Sequence, residues 1–589
     1  MDNSEETAAL AHQNGNYSDI KDQFLREYLM KTLGYSFYTN AETYTSLTID
    51  DPRITTLVGL EMFTNLNRLV LRGLSIKWFD AKNYLSYLEI DQCDSIQQIY
   101  RQQGVRDSFV IKNCMNMEII YDFTAQHTII QSCPKLKTYY SECNDFRIDN
   151  CPLLNEVGVH IQPFYNWPKK CKCEINGCPN VTKLVVKRFF GVQERDACEQ
   201  ELEHLDVSRL INLVDLRCNL IRLKELDISN CHKIEVLDVS NNFLEALDIS
   251  NCPKIREINV SNNDLERLDV SNCPSIMQLN ASNNKLKALD VSNCPGIKEI
   301  NVSHNNLEAL DISNCPDLET LDVGFNLRPL YDFSRHDKLT SLGCAGCGYT
   351  SIDVSNHTKL TYLDLSYNRL STLDIRGLYD LKVLHCESNE LEEIVHENQN
   401  FANHGGKTKY LHCYGNLLTA YNVPNTCNVD VVGGEQYITR ELTTLPDGTI
   451  GVEVSEETQA KRIFQLKYHK YCYSKESNRY YLGNESGKAQ ITQAWGKNYL
   501  VVNPKNYEID EIPYIQYTYS CHIDEDYPTL NTNGGTLNVW IILPSPTEIK
   551  QISDMNTEDV WHTLSGVRLS SPPTQKGIYI KNGKKVAVK

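Results

Sequence analysis

No stretch of this 589-residue chain approaches the roughly 18 to 20 consecutive apolar residues that cross a bilayer as a helix, which excludes a membrane-spanning helix. Positive charge is scarce as well. Lys and Arg number 58 against 76 Asp and Glu, a net charge of -18. Nucleic acid is thereby disfavoured as the main partner, because phosphate binding needs a concentrated cationic face. The nucleophile elbow G-x-S-x-G, the P-loop, the H-E-x-x-H zinc helix and the dinucleotide fingerprint are all missing, so no motif announces an enzyme. The opening MDNSEETAALAHQNGNYSD has neither a basic n-region nor an apolar h-region, so no signal peptide is visible. The expectation is a cytosolic protein or a chain that begins after a removed export signal.

What the chain has in quantity is repetition. From Leu205 to Ile394 it recurs every 21 residues. Leu205, Leu226, Leu247, Leu268, Leu289 and Leu310 head one half of each repeat, and Leu237, Ile258, Leu279, Ile300, Leu321, Leu342, Leu363 and Leu384 head the other. A fixed period of this length marks a solenoid, whose unit cannot bury its apolar face alone and must stack on its neighbours. In Ile234 to Lys254 the segments Leu237-Asp238-Val239 and Leu247-Asp248-Ile249 alternate like short strands, each followed by a Ser/Asn turn. The inward side chains per turn are Ile234, Leu237, Val239, Asn242, Leu244, Leu247, Ile249 and Cys252.

Two polar columns run inward. Asn242, Asn263, Asn284 and Asn305 head a column that continues at Asn326, Asn368 and Asn389, and a buried amide needs turn backbone groups as partners. Cys231, Cys252, Cys273, Cys294 and Cys315 also fall on the period, so these members of the 22 cysteines are expected to be reduced, structural thiols rather than a disulfide framework. Zinc is considered and set aside at Cys171, Cys173 and Cys178, and at Cys344 and Cys347, since the last two sit on core columns. A column of acids, Asp206 to Asp374, is expected to bond the following Ser groups; Ca2+ along it is the alternative. No other cofactor is expected.

The pattern L-x-x-L-x-[LV]-x-x-N-x-L, present as IEVLDVSNNFL, IREINVSNNDL, IMQLNASNNKL, LTYLDLSYNRL and LKVLHCESNEL, resembles the leucine-rich repeat core. Its L-x-x-L-D-x-S-N-C continuation is similar to a short bacterial subclass in which both halves are strand-like, which implies a parallel β-solenoid with few helices. Fainter copies lie upstream at YLEIDQC, FVIKNC, TIIQSC, FRIDNC and CEINGC, spaced by roughly 18 to 27 residues and so expected to be irregular. Near the start, Ser18 is expected to cap a helix bearing Ile20, Phe24, Tyr28 and Leu29, stopped by Gly34. Together with Ile54 to Leu71 it resembles the capping module of secreted bacterial leucine-rich repeat proteins.

Beyond the repeats, short β runs and twelve tyrosines between Tyr437 and Tyr527 predict an immunoglobulin-like β-sandwich. The final segment carries an Asn582-Gly583 hairpin signal and resembles the C-terminal sorting or anchoring tails of exported Bacteroidetes proteins. The expected fold is thus mainly β, with boundaries at 1–50 (helical cap), 51–200 (irregular repeats), 201–425 (regular repeats), 430–545 (sandwich) and 546–589 (tail).

Constancy fails in the later repeats, where outward columns take up aromatics and histidines. Phe325, Tyr367, His385, His412 and Tyr414 are therefore the candidate partner-binding residues. The expected protein is a non-enzymatic, monomeric, surface or secreted binding or adhesion protein whose ligand is a protein or glycan. Its alternatives are a carbohydrate-binding accessory protein using the Tyr-rich sandwich, and a cytoplasmic location.

Overall fold

The computed structural model describes residues 20–418, except 79–84, 103–104, 162–169, 189–200, 328–330 and 398–409, and further on the backbone of strands between 430 and 588. The chain divides into two compact units, Met1–Leu318 and Glu319–Lys589.

The first unit opens with a helical cap. Helix Gln23–Leu33 buries Leu25 and Leu29 and ends at Gly34, whose φ of 82° suits a residue without a Cβ. Its N-cap is Asp22, not the expected Ser18, which lies outside the described residues. The Asp22 carboxylate accepts from the Phe24 and Leu25 N–H groups at the helix start, and from the Thr55 and Thr56 N–H groups and the Thr55 hydroxyl of the following segment. A serine has one oxygen and cannot serve both partners; the carboxylate ties the helix to the first repeats. Burial by itself raises the Asp22 pKa, and these donors more than offset it, leaving the group below its ordinary value.

Parallel strands then build two faces. Ser46–Ile49, Arg68–Arg72, Tyr87–Asp91 and Ser108–Lys112 pair in succession on one face. Gln98–Gln102 pairs with the start of the long strand Ile119–Gln131 on the other. In these irregular turns the residue before each cysteine (Gln92, Asn113, Ser132, Asn150 and Gly177) is left-handed, which bends the chain inward at Cys93, Cys114, Cys133, Cys151 and Cys178.

In the regular repeats of this unit the two halves diverge. Val236–Asp238, Glu257–Asn259, Gln278–Asn280 and Glu299–Asn301 pair in strict parallel register. The L-D-x-S-N-C half was expected to be strand-like too, yet from Leu226 to Cys315 it forms no strand. This half is instead held by local turn bonds. The Asp248 carboxylate accepts the Ser250 N–H at 2.9 Å, and the Cys252 N–H bonds back to the Ile249 carbonyl at 2.9 Å.

The asparagines link the turns. Asn263 Nδ2 donates to the Val239 carbonyl of the preceding turn and the Val260 carbonyl of its own, both at 3.0 Å. Its Oδ1 accepts the Leu244 N–H at 3.0 Å. Val260 O also accepts from Asn284, so each carbonyl is shared between two turns and the pattern repeats at Asn242, Asn284 and Asn305.

The cysteines stack behind them. Sγ of Cys252, Cys273 and Cys294 donates to the carbonyl of the cysteine one turn earlier at 3.6 Å. The seventeen cysteines whose side chains are described are free and buried. Burial pushes the thiols of Cys231, Cys252 and Cys315 up to about 11 and that of Cys273 to about 12. Thiolate is the reactive form. Maleimide at pH 8 is therefore expected to leave these cysteines unlabelled in the native protein and to label them all in guanidinium, as read by mass spectrometry. Fast native labelling of any one would contradict a sealed column.

In the second unit the strands Thr320–Asp322, Ser341–Gly343, Tyr362–Asp364, Val383–His385 and Tyr410–His412 pair in parallel, and Tyr410–His412 pairs onward with Asp430–Val432. Here the opposite half regains one pair, Thr372–Asp374 with Glu393–Val395. His336 and His357 take over the cysteine column, and the His357 ring nitrogen Nε2 meets the Phe333 carbonyl at 3.1 Å, as a thiol does elsewhere.

Further on, Gly434–Thr439, Thr536–Ile542, Glu511–Ser520, Ile463–Ser474 and Arg479–Leu482 form a five-stranded sheet, and Leu442–Thr444, Ile450–Glu453, Lys497–Val502 and Ile491–Ala494 a four-stranded one. The tyrosine side chains of this region lie outside the described residues. Gly577–Lys581 and Lys584–Val588 pair antiparallel with Lys581 opposite Lys584, flanking Asn582-Gly583.

Candidate binding surface

Each regular turn closes its strand with a self-contained polar pair. The Ser240 hydroxyl donates to Asp238 at 2.7 Å, and Ser261, Ser282 and Ser303 do the same to Asn259, Asn280 and Asn301 at 2.8 Å. The next residue is left-handed: φ is 57° at Asn241, 55° at Asn262 and 53° at Asn283. Asparagine tolerates that conformation because its short amide bonds locally. Such a surface is uniform and has little with which to discriminate.

Leu220 and His304 depart from this pattern in the first unit, and further departures lie in the second. The left-handed position is held by Phe325 (φ 54°) and Tyr367 (φ 56°), bulky residues for which positive φ is a genuine outlier. Both are open to solvent, at 38% and 51% exposure. Gly346 stands between them in the column, and a Cβ there would come within 2.6 Å of Phe325 Cδ1. Lacking one, the Phe325 ring lies across the glycine, its centroid 5.7 Å from that of Tyr367. Gly343 likewise makes way for Asp322, whose Oδ1 would sit 2.7 Å from an added Cβ.

The turns that follow replace the Asx–Ser pair altogether. His385 and Glu387 occupy its two positions, and His412 and Tyr414 occupy them one turn on. The rings of His385 and His412 lie 4.3 Å apart between centroids, and Tyr362 is 5.7 Å from His385. His385 Nδ1 faces Glu387 Oε1 at 3.5 Å. The hydrogen bond with Glu387 raises the His385 pKa above its ordinary value, against burial. Burial first, then the charges of Asp364, Asp322 and Glu387, push the Tyr362 hydroxyl up to about 12. The Tyr414 hydroxyl is also pushed to about 12, chiefly by its hydrogen bond with Tyr367. The surface is thus aromatic over a negative floor.

All five sequence-selected residues fall on this one face, as two linked groups: Phe325–Tyr367–Tyr414 and His385–His412. Sequence reasoning passed over Tyr362 and Glu387. The signal was available, since each breaks a column of small or polar residues.

The remaining candidates have local partners. Carboxylates from Asp206 to Asp353 accept the N–H two residues on, at 2.9 to 3.0 Å, as at Asp206, Asp227, Asp290, Asp332 and Asp353. Asp374 is held by Arg376 at 2.6 Å. Bonds to the serine groups keep Asp248, Asp269 and Asp290 below the ordinary aspartate value. Cys344 is buried in the core, and Cys347, in an asparagine's place, donates Sγ–H to the Val323 carbonyl at 3.5 Å.

Residues 359–381, which lie within the stacked parallel turns, match the family model described as Leucine Rich Repeat. Among solved structures, the chain is similar to the functional domain of InlJ from Listeria monocytogenes, described as including a cysteine ladder. Identity there is 18%, over 85% of this chain and 91% of that one, with a TM-score of 0.47. It is also similar to YopM from Yersinia enterocolitica WA-314, at 17% identity over 74% of this chain and 96% of that one, TM-score 0.35. The internalin inlF from Listeria monocytogenes str. 4b F2365 is 16% identical over 71% of this chain and 96% of that one, TM-score 0.33. No curated protein sequence matches the chain. Among the described residues, no helix is long and apolar enough to cross a membrane.

Proposed function

We propose that this chain is a non-enzymatic binding protein that takes a protein partner on the surface around Phe325, Tyr367, His385, His412 and Tyr414, at the cell surface or after secretion. The observation that carries this reading is the exposure of the aromatic rings of Phe325 and Tyr367 at a left-handed position that the regular turns give mostly to asparagine, although Leu220, His304 and Ser388 share it. Local strain of that kind is retained where the side chain is needed, and large aromatics dominate binding hot spots. Leucine-rich repeat solenoids are typically protein-interaction modules, offering a ribbon of stacked strands. Exterior placement rests on the sorting-like tail at 546–589, and the two sheets within 430–545 are read as an immunoglobulin-like sandwich joining solenoid to tail.

The test starts from an array of extracellular proteins probed with the full chain. Tyr367→Ala and His385→Ala are each expected to weaken binding to a protein found this way by at least tenfold, with little change in melting temperature. Loss of thermal stability with binding intact would sink the proposal.

A further inference from the structure

We propose that His385, Glu387 and His412 form a binding site for a borderline divalent transition-metal ion, with zinc the expected occupant. This site rests on its own geometry and does not depend on the docking of a partner.

Three features carry it. The ligand atoms of the three residues all lie within 4.8 Å of one another. Strand pairing fixes this: His385 and His412 are register partners on adjacent parallel strands, and Glu387 follows His385 by two residues on the same outward side. Ions bound at about 2.0–2.2 Å in a tetrahedron hold their ligand atoms roughly 3.4 Å apart. The 3.5 Å between His385 Nδ1 and Glu387 Oε1 is already that spacing, and is long for a hydrogen bond.

The second feature is the state of Glu387. It is only 7% exposed, and its Oε2 is buried with no hydrogen-bond partner. A buried carboxylate oxygen left so costs free energy unless something positive meets it. In the regular turns, and at Ser366, this position holds a serine that satisfies itself on the Asx residue two positions back, as Ser366 does on Asp364 at 2.7 Å. Replacing that serine by glutamate removes a donor and adds a charge, which a cation would neutralise.

The third feature is the donor set. Two imidazoles with one carboxylate suit Zn2+, and also Cu2+ or Ni2+, better than the oxygen-loving Ca2+ or Mg2+. Three protein ligands leave a fourth position for water or an incoming side chain, the pattern of an open rather than a closed zinc site. Asp364, in register with His385, adds negative charge on the neighbouring turn.

The experiment uses the full chain, stripped with chelator and titrated with Zn2+ by calorimetry and with Co2+ by absorption. Co2+ separates this site from the buried thiols, because thiolate ligation adds an intense near-ultraviolet charge-transfer band that nitrogen and oxygen ligands lack. One equivalent is expected to bind, without that band. Glu387→Gln and His412→Ala are each expected to weaken binding at least tenfold. The double variant His385→Asn with Glu387→Ser, which restores the Asx–Ser pair of the regular turns and so keeps the fold, is expected to abolish it. A thiolate band, unchanged affinity in the double variant, or no binding by the unsubstituted chain would each overturn the site.

Discussion

Asn263→Leu is expected to destabilise the regular repeats by about 3 to 5 kcal/mol, since burying one N–H unpaired costs roughly 1–3 kcal/mol and two further hydrogen bonds are lost at about 1 kcal/mol each. The unpaired donor is the Leu244 N–H, whose acceptor is Asn263 Oδ1. The two carbonyls, Val239 and Val260, keep one partner each in Asn242 and Asn284. Leucine has as many side-chain heavy atoms as asparagine and is bulkier, so no cavity is left and any crowding adds to the polar loss. Amide exchange resolved to Leu244 and Leu265 locates it more directly than global melting, because stacked repeats and separate domains need not unfold together. Protection should fall first at Leu244. A change below about 1 kcal/mol would mean that water replaces the amide, and the ladder would then contribute little.

Phe325→Asn together with Tyr367→Asn is expected to do the opposite to stability and to remove binding. Left-handed backbone costs a bulky residue about 1–2 kcal/mol, and asparagine much less. Against that relief stands the ring contact between the two, worth about 0.5–1.5 kcal/mol. Relief at two positions, about 2–4 kcal/mol, less the ring contact and asparagine's own smaller cost, leaves stability unchanged or raised by up to about 3 kcal/mol, visible as a steady or higher melting temperature. Loss of two hot-spot aromatics should cost partner binding about 2 kcal/mol or more, some 30-fold in affinity. If the pair instead served to hold the turns together, the double variant would melt several degrees lower and bind as before. Thermal denaturation and affinity measured on the same preparation therefore decide between the two roles.

Much of the scaffold was legible because a strict period fixes which face a side chain takes. The apolar columns at Leu237 and Leu247, the inward asparagines and the stacked cysteines follow from spacing alone. Where spacing was not enough, long-range hydrogen bonds decided. Asp22 displaced Ser18 as the cap because its carboxylate also receives Thr55 and Thr56, more than 30 residues away. Asp248-Ile249 alternates like Asp238-Val239, yet only the latter half joins a ladder, a difference that alternation does not encode. Of the candidate surface, the aromatics were visible as broken columns. Glu387 broke its column too, but what gives it weight, an oxygen without a partner, a sequence does not record.

The asymmetry of the regular turns has a mechanical consequence. Adjacent turns from Leu226 to Cys315 are joined on one side by strand pairs and shared amide bonds, and on the other mainly by packed side chains and weak thiol contacts. Such a stack behaves like a leaf bound along one edge. It resists shear within the bound side, while a bending load opens the opposite side first at small cost per turn. Tension applied at a docked ligand would then be absorbed as curvature, spread over several repeats, before any strand is torn from its neighbour.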